Sequence, residues 1–151
     1  MNRSKGIGLL ELLITLVVAT LLMSIAVPAY SGFIQRARIV KASGDIRGIS
    51  IDIDRFRLNN NDRLPAKLGE LPGEIPLDPW GRAYEYLNIP AAGPGKGALR
   101  KDGKLNPLNT DFDLYSKGRD GDSKGPLRAK ASRDDIVRAN NGAFVGLGEN
   151  Y

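Results

Sequence analysis

The chain has 151 residues, which is enough for one globular domain and little more. It contains no cysteine and no histidine, which excludes disulfide bonds, thiolate metal sites and the commonest general base. Its 22 basic residues outnumber the 17 acidic ones only mildly, and the net charge of +5 is spread along the chain. We therefore expect neither an enzyme nor a nucleic-acid partner.

An apolar segment, residues 7–30, follows a short polar leader, residues 1–6. The segment is apolar on every face of a helix, so burial against one side of a soluble core does not account for it. At about 1.5 Å per residue it can cross a hydrocarbon core roughly 30 Å thick. We predict a retained transmembrane helix, because the apolar run is longer than that of a cleaved signal peptide. Arg3 and Lys5 predict a cytoplasmic N-terminus, with the rest of the chain outside the membrane.

Glu11 is the one charged residue inside this apolar segment. A carboxylate costs about 2.5 to 3.5 kcal/mol near the centre of a bilayer, so we expect it to have a partner. If the leader were cut after Gly6, the new amino group of Ile7 could pair with Glu11 of the same chain or of a neighbouring one. Alternatively, Glu11 reaches the membrane interface unaided, because it lies near one end of the segment.

The helix is predicted to continue beyond the membrane, so that one helix covers residues 8–58. Pro28 lies inside it and removes a backbone donor, so we expect a kink or a soft point there. After Tyr30, apolar residues recur at intervals of three and four, which indicates one buried helix face. They are Ile39, Ala42, Ile46, Ile49, Ile53 and Phe56. We interpret this stripe as the spine of a globular head.

The remaining segments predict turns, strands and loops. Asp78-Pro79-Trp80-Gly81 predicts a turn, with Trp80 as a core anchor packed on the helix stripe. The sequence predicts strands over residues 83–89 and 111–116, and the apolar residues 143–147 predict a final strand or a tail packed on the sheet. Residues 91–104 are rich in glycine and carry Lys96, Arg100, Lys101 and Lys104. This composition predicts a mobile, exposed basic loop, either solvated or in contact with a partner or anionic lipid.

Acidic side chains cluster near a second glycine-rich turn, residues 117–125. Asp120 and Asp122 lie in the turn, and Asp134 and Asp135 follow after a loop. Ca²⁺ takes about six to eight oxygen ligands from carboxylates, carbonyls and water, and glycines allow a turn to direct its carbonyls inwards. From the residues alone, a calcium site and a solvated Asp-Gly turn remain alternatives.

Residues 5–13, Lys-Gly-Ile-Gly-Leu-Leu-Glu-Leu-Leu, resemble the processing site of type IV pilins and type II secretion pseudopilins. In that class a prepilin peptidase cuts after the glycine and methylates the next residue, which implies processing between Gly6 and Ile7. The class also has a glutamate close to the new N-terminus and a proline further along the helix. The resemblance therefore implies that Ile7, Glu11 and Pro28 act in assembly.

Three further segments are similar to the major pseudopilins of type II secretion. They are Asp-Pro-Trp-Gly at residues 78–81, Tyr-Ser-Lys-Gly-Arg-Asp-Gly at residues 115–121, and Asp135-Ile136. In that family two aspartates and nearby carbonyls hold one structural Ca²⁺. The resemblance implies the Asp120 and Asp135 side chains, with the Lys117 and Asp122 carbonyls, as its ligands.

The resemblance implies an α+β, pilin-like fold, in which a long N-terminal helix packs on a small antiparallel sheet with a C-terminal loop region. The expected divisions are the leader (1–6), the transmembrane and filament-core helix (7–30), and the amphipathic half-helix with the head (31–151). The chain would be a single-pass protein of the bacterial inner membrane with its head in the periplasm or outside.

The implied function is that of a structural subunit of a type II secretion pseudopilus, which polymerises from the inner membrane to drive protein export across the outer membrane. Its implied partners are copies of itself in a helical filament, the prepilin peptidase, other pseudopilins and inner-membrane assembly proteins. The alternatives are a type IV pilus major pilin and a membrane-anchored binding module that does not polymerise. A membrane-tethered hydrolase that uses carboxylates lacks paired acids in a credible cleft.

Overall fold

The structure is a computed structural model that describes residues 8–93, 99–103 and 105–151. Its contacts divide the chain into two units, Met1–Ala37 and Arg38–Tyr151. One long helix, α1 (Leu9–Asn59), supplies most of the first unit and the beginning of the second. These bounds confirm the helix predicted over residues 8–58 to within about one residue at each end.

The described part of the first unit is an apolar helix. Its most apolar window has a mean hydropathy of 2.5, and none of that window is buried. The hydroxyls of Thr15, Thr20 and Ser24 donate to carbonyls three residues earlier, so these polar groups are satisfied within the helix. By length and composition, this is a helix that can cross a membrane. The helix runs through Pro28 without ending, and the soft point expected there stays a prediction.

Four short antiparallel strands form the sheet of the second unit, and they lie in chain order. They are β1 (Glu85–Asn88), β2 (Phe112–Ser116), β3 (Ile136–Ala139) and β4 (Phe144–Leu147). β1 and β2 confirm the strands predicted over residues 83–89 and 111–116, and β4 shows that residues 144–147 form a strand and not a tail. The sequence pattern does not predict β3, because the charged Arg138 interrupts its short apolar run.

An apolar core holds the sheet of the second unit against α1. The predicted helix stripe is confirmed, since its central members are buried: Ala42, Ile46, Ile49 and Ile53. They form one cluster with buried side chains of the sheet and of the turn before it: Tyr84, Phe112, Leu114 and Ile136. Trp80 packs against this core, as predicted. Full burial of one such aliphatic side chain contributes about 1.5 to 3 kcal/mol, so the stripe fixes the sheet to the helix.

A smaller cluster holds the loops of the second unit. It comprises Leu108, Leu127, Val137 and Ala139. Val137 and Ile136 are neighbours in β3, and they belong to the two different clusters, as the alternation of side chains along a strand requires. The loops that contain Leu108 and Leu127 are thereby fixed near the start of β3.

The expectation of an exposed basic loop over residues 91–104 is wrong at Arg100. Its side chain is only 2% exposed, and the preceding Leu99 is also buried. The Arg100 amide donates to Oδ2 of Asp113, and its carbonyl accepts a hydrogen bond from the Leu108 amide. The physical reason is that acidic groups inside the head supply partners for a buried arginine. Of the other basic residues in this loop, Lys96 and Lys104 lie outside the described residues.

Candidate functional site

The residues predicted for processing and assembly lie at the start of the chain. Gly6 and Ile7 lie outside the described residues. Glu11 lies exposed in the first turn of α1, where a negative charge interacts favourably with the helix dipole. Its amide donates to the Gly8 carbonyl at 3.0 Å. Within the described ranges, Glu11 has no ion-pair partner.

The Asp-Pro-Trp-Gly turn is built on the buried carboxylate of Asp78. Its Oδ1 accepts hydrogen bonds from the amides of Trp80 at 3.0 Å and Arg82 at 2.8 Å. Its Oδ2 accepts one from the Ser116 hydroxyl at 2.6 Å. Ser116 is the last residue of β2 and pairs with Ile136 of β3. The Asp-Pro-Trp-Gly turn is therefore hydrogen-bonded to the end of β2, where the second glycine-rich turn, residues 117–125, begins.

Arg82 connects the two turns directly. Its guanidinium donates to the Gly118 carbonyl at 2.6 Å and to the Arg119 carbonyl at 3.2 Å. Gly118 has a positive φ of 62°, and a Cβ there would overlap the carbonyl oxygen of Asp134. Only glycine allows this close approach of two backbone segments. The sequence identifies both turns but not the arginine that joins them.

Three of the four predicted calcium ligands lie in the second glycine-rich turn: Lys117, Asp120 and Asp122. Oδ1 of Asp120 accepts from the Asp122 amide at 2.8 Å, and both residues are exposed. The Lys117 carbonyl accepts from the Gly121 amide at 3.2 Å. Asp134, which the sequence does not single out as a ligand, meets this turn. Its Oδ2 accepts from the amides of Arg119 at 2.8 Å and Asp120 at 3.0 Å.

The fourth predicted ligand, Asp135, is fully buried. Other groups hold its Oδ2, while its Oδ1 has no hydrogen-bond partner among the described residues. Its Oδ2 accepts from the Arg100 guanidinium at 2.5 Å and from the Ser123 hydroxyl at 2.6 Å. The same guanidinium donates to Ser123 at 2.5 Å and to the Lys124 carbonyl at 3.0 Å, and it lies 4.2 Å from the centre of the Tyr115 ring. Burial raises the pKa of the Asp135 carboxyl, while the Ser123 hydrogen bond and the Arg100 charge oppose that rise.

These residues do not fit a calcium ion as they are arranged. A Ca²⁺ ion needs about six to eight oxygen ligands, but the guanidinium of Arg100 already binds Asp135, Ser123 and Lys124. A divalent ion next to this buried positive charge would be strongly repelled. In the part of the chain that the structure describes, no three acidic side chains come together in a way that could hold a metal.

Comparison with known protein families identifies the class of protein. Residues 1–27 match the family model described as the prokaryotic N-terminal methylation motif. With the long N-terminal helix and the four-stranded antiparallel sheet, this motif defines a pilin-like protein of α+β architecture. No solved structure matches the chain.

Curated relatives then give the family. The chain is 30% identical to type II secretion system core protein G of Dickeya chrysanthemi over 148 residues, which covers 93% of this chain and 90% of the relative. It is 29% identical to the protein of that name from Klebsiella pneumoniae, with 90% and 94% covered. For the Pseudomonas aeruginosa protein the identity is 27%, with 82% and 89% covered. The chain belongs to the type II secretion system core protein G family, the major pseudopilins.

Proposed function

We propose that this chain is the major structural subunit of a type II secretion pseudopilus. It polymerises from the bacterial inner membrane into a helical filament, and filament growth drives folded proteins across the outer membrane. The observation that carries this proposal is the methylation motif over residues 1–27, followed by an unburied apolar helix and a folded head, in a member of the core protein G family.

The apolar helix of α1 supports an assembling subunit. Its large apolar side chains from Leu9 to Phe33 are about half or more exposed, so they need lipid or other helices around them. Lipid tails are as apolar as these side chains, so exclusion of water does not favour the filament over the bilayer. Helix packing and the pairing of polar groups therefore decide assembly.

Glu11 is the polar group that this account assigns to assembly. Prepilin peptidase cuts after Gly6, and the methylated amino group of Ile7 then carries a positive charge. In the filament, that amino group pairs with Glu11 of a neighbouring subunit. The pairing compensates the charge of Glu11 in an apolar environment, and between subunits this gain favours the filament.

In this proposal, α1 anchors the chain in the inner membrane, and the head lies in the periplasm. Its partners are copies of itself, prepilin peptidase, other pseudopilins and the inner-membrane assembly proteins, and it has no enzyme activity of its own. The matches to core protein G proteins, over most of their length, favour this function over a type IV pilus major pilin.

Substitution of Glu11 tests the proposal. We expect Glu11→Leu to insert into the membrane normally but to form no filaments, because the amino group of Ile7 loses its partner. Membrane insertion is measured by carbonate extraction, and filaments are counted by electron microscopy of cells that also produce the secretion system.

Thr15→Leu is the matched control. It also replaces a polar residue of the same exposed helix with leucine, and its hydroxyl only donates to the Leu12 carbonyl of its own helix. Normal filaments are expected from this variant. Filaments formed equally well by Glu11→Leu would rule out the proposed role of Glu11. The absence of filaments from the wild-type chain would favour a membrane-anchored module that does not polymerise.

A further inference from the structure

The guanidinium of Arg100 lies where three oxygen-bearing groups of the C-terminal loop region converge. It binds Oδ2 of Asp135, the hydroxyl of Ser123 and the carbonyl of Lys124 at 2.5, 2.5 and 3.0 Å. Arg100 comes from a distant segment, 35 residues before Asp135. One buried cation thus joins the loop before β2 to the loop that leads into β3.

The charges at this point are balanced without an added ion. Asp135 is 0% exposed and Arg100 is 2% exposed, so each requires an opposite charge, and each supplies it to the other. A planar guanidinium offers several donors in fixed directions and can hold a carboxylate, a hydroxyl and a carbonyl together. Arg82 acts similarly on the neighbouring carbonyls of Gly118 and Arg119.

We propose that Arg100 is a built-in cation that takes the place of a divalent metal ion at Asp135, so that the head folds without calcium. The guanidinium draws together the oxygens that an ion would otherwise gather, and it brings one positive charge to the buried carboxylate of Asp135. This inference concerns the fold of the head and does not depend on the proposed role in secretion.

Calcium should not change the stability of the wild-type chain. An ion that binds only the folded state raises its melting temperature as the ion concentration increases. We expect the full chain, purified in detergent micelles, to show the same Tm in CaCl₂ and in EGTA. A Tm that falls in EGTA and recovers with CaCl₂ would overturn the proposal.

Removal of the guanidinium should convert the head into a calcium-responsive one. Arg100→Ser leaves the Asp135 carboxylate, the Ser123 hydroxyl and the Lys124 carbonyl around an open space. We expect its Tm to fall well below the wild-type value in EGTA and to rise again in CaCl₂. Arg100→Lys keeps one positive charge at this point, and we expect it to fold in EGTA with no response to calcium.

Arg138 provides the matched control. It is the head's other buried arginine in the described part of the chain, 5% exposed, and it donates to Asp111 at 2.6 Å and lies over the Phe112 ring. Arg138→Ser should lower the Tm equally in EGTA and in CaCl₂, because the Asp111 side chain is 21% exposed and water can take the place of the guanidinium. The same absence of a calcium response in Arg100→Ser would overturn the proposal, since Asp135 would then not be a cation site.

Discussion

Ser116 donates a hydrogen bond to Asp78 across 2.6 Å, and both side chains are buried. The same carboxylate accepts the amides of Trp80 and Arg82. One aspartate therefore joins the Asp-Pro-Trp-Gly turn to the end of β2, where the second glycine-rich turn begins. These are two of the segments that are similar to the major pseudopilins, so the first motif acts as a structural support for the second.

Loss of the Asp78 carboxylate should destabilise the head severely. Asp78→Ala leaves three donors without their partner, two amides and the Ser116 hydroxyl, and a buried unsatisfied group costs about 1 to 3 kcal/mol. We expect the free energy of unfolding to fall by at least roughly 3 kcal/mol, measured by denaturant titration of the chain in detergent. Asp54→Ala removes only an exposed pair with Arg57, so it should change stability by less than about 1 kcal/mol. Similar losses in both variants would show that Asp78 has no special role.

Two glycines should respond in opposite directions to substitution by alanine. At Gly118 the positive φ and the overlap with Asp134 oppose a Cβ, so Gly118→Ala should lower the Tm. At Gly48, within α1, a Cβ meets nothing within 4 Å, and alanine is favoured over glycine in a helix by about 1 kcal/mol. Gly48→Ala should therefore raise the Tm. A higher Tm for Gly118→Ala would contradict the described packing of the turn on Asp134.

Two tyrosines should make the head sensitive to alkaline pH. The Tyr84 hydroxyl donates to Asp45 at 2.9 Å and that of Tyr86 to the Pro65 carbonyl at 2.8 Å. Burial raises the pKa of Tyr84 far above its usual range, and burial raises the pKa of Tyr86 to about 12. An unfolded tyrosine ionises at about pH 10, so the stabilisation is complete below that pH and is lost as the pH rises towards the folded values.

Thermal melts across the alkaline range test this expectation. The wild-type Tm should decline above about pH 10, and the decline should be weaker in Tyr84→Phe and Tyr86→Phe, which cannot ionise. Tyr30 is exposed on α1 and serves as the control, because Tyr30→Phe should leave the decline unchanged. A wild-type Tm that is constant through this range would contradict the described burial of both hydroxyls.

The sequence predicts those parts of the fold that depend on local spacing. The stripe that includes Ile46, Ile49 and Ile53 repeats at helical intervals, so α1 and its buried face follow from neighbouring residues alone. β3 depends on pairing with β2 and β4, and its own four residues contain a charge. Its position is therefore set by contacts that are distant along the chain, which a local pattern does not contain.

At the candidate site too, the sequence identifies residues but not the contacts that they make. The resemblance identifies Asp120 and Asp135, but it does not predict that Asp134 meets the turn while Asp135 is buried against Arg100. Asp134 and Asp135 immediately precede β3, and contacts distant along the chain decide which of these two adjacent carboxylates reaches the turn. Arg100 lies in a glycine-rich, basic segment that is typical of an exposed loop, and only its distant acidic partner accounts for its burial.

Disulfide cross-linking between subunits in the membrane tests whether this chain polymerises through α1. The chain has no cysteine, so single cysteines placed along the exposed part of α1 report only on introduced contacts. Two positions that cross-link on different faces of the helix are then combined in one chain. A filament joins each subunit to neighbours through different surfaces, so we expect a ladder of oligomers that is lost in Glu11→Leu. Dimers alone, or no cross-links at any position, would contradict it.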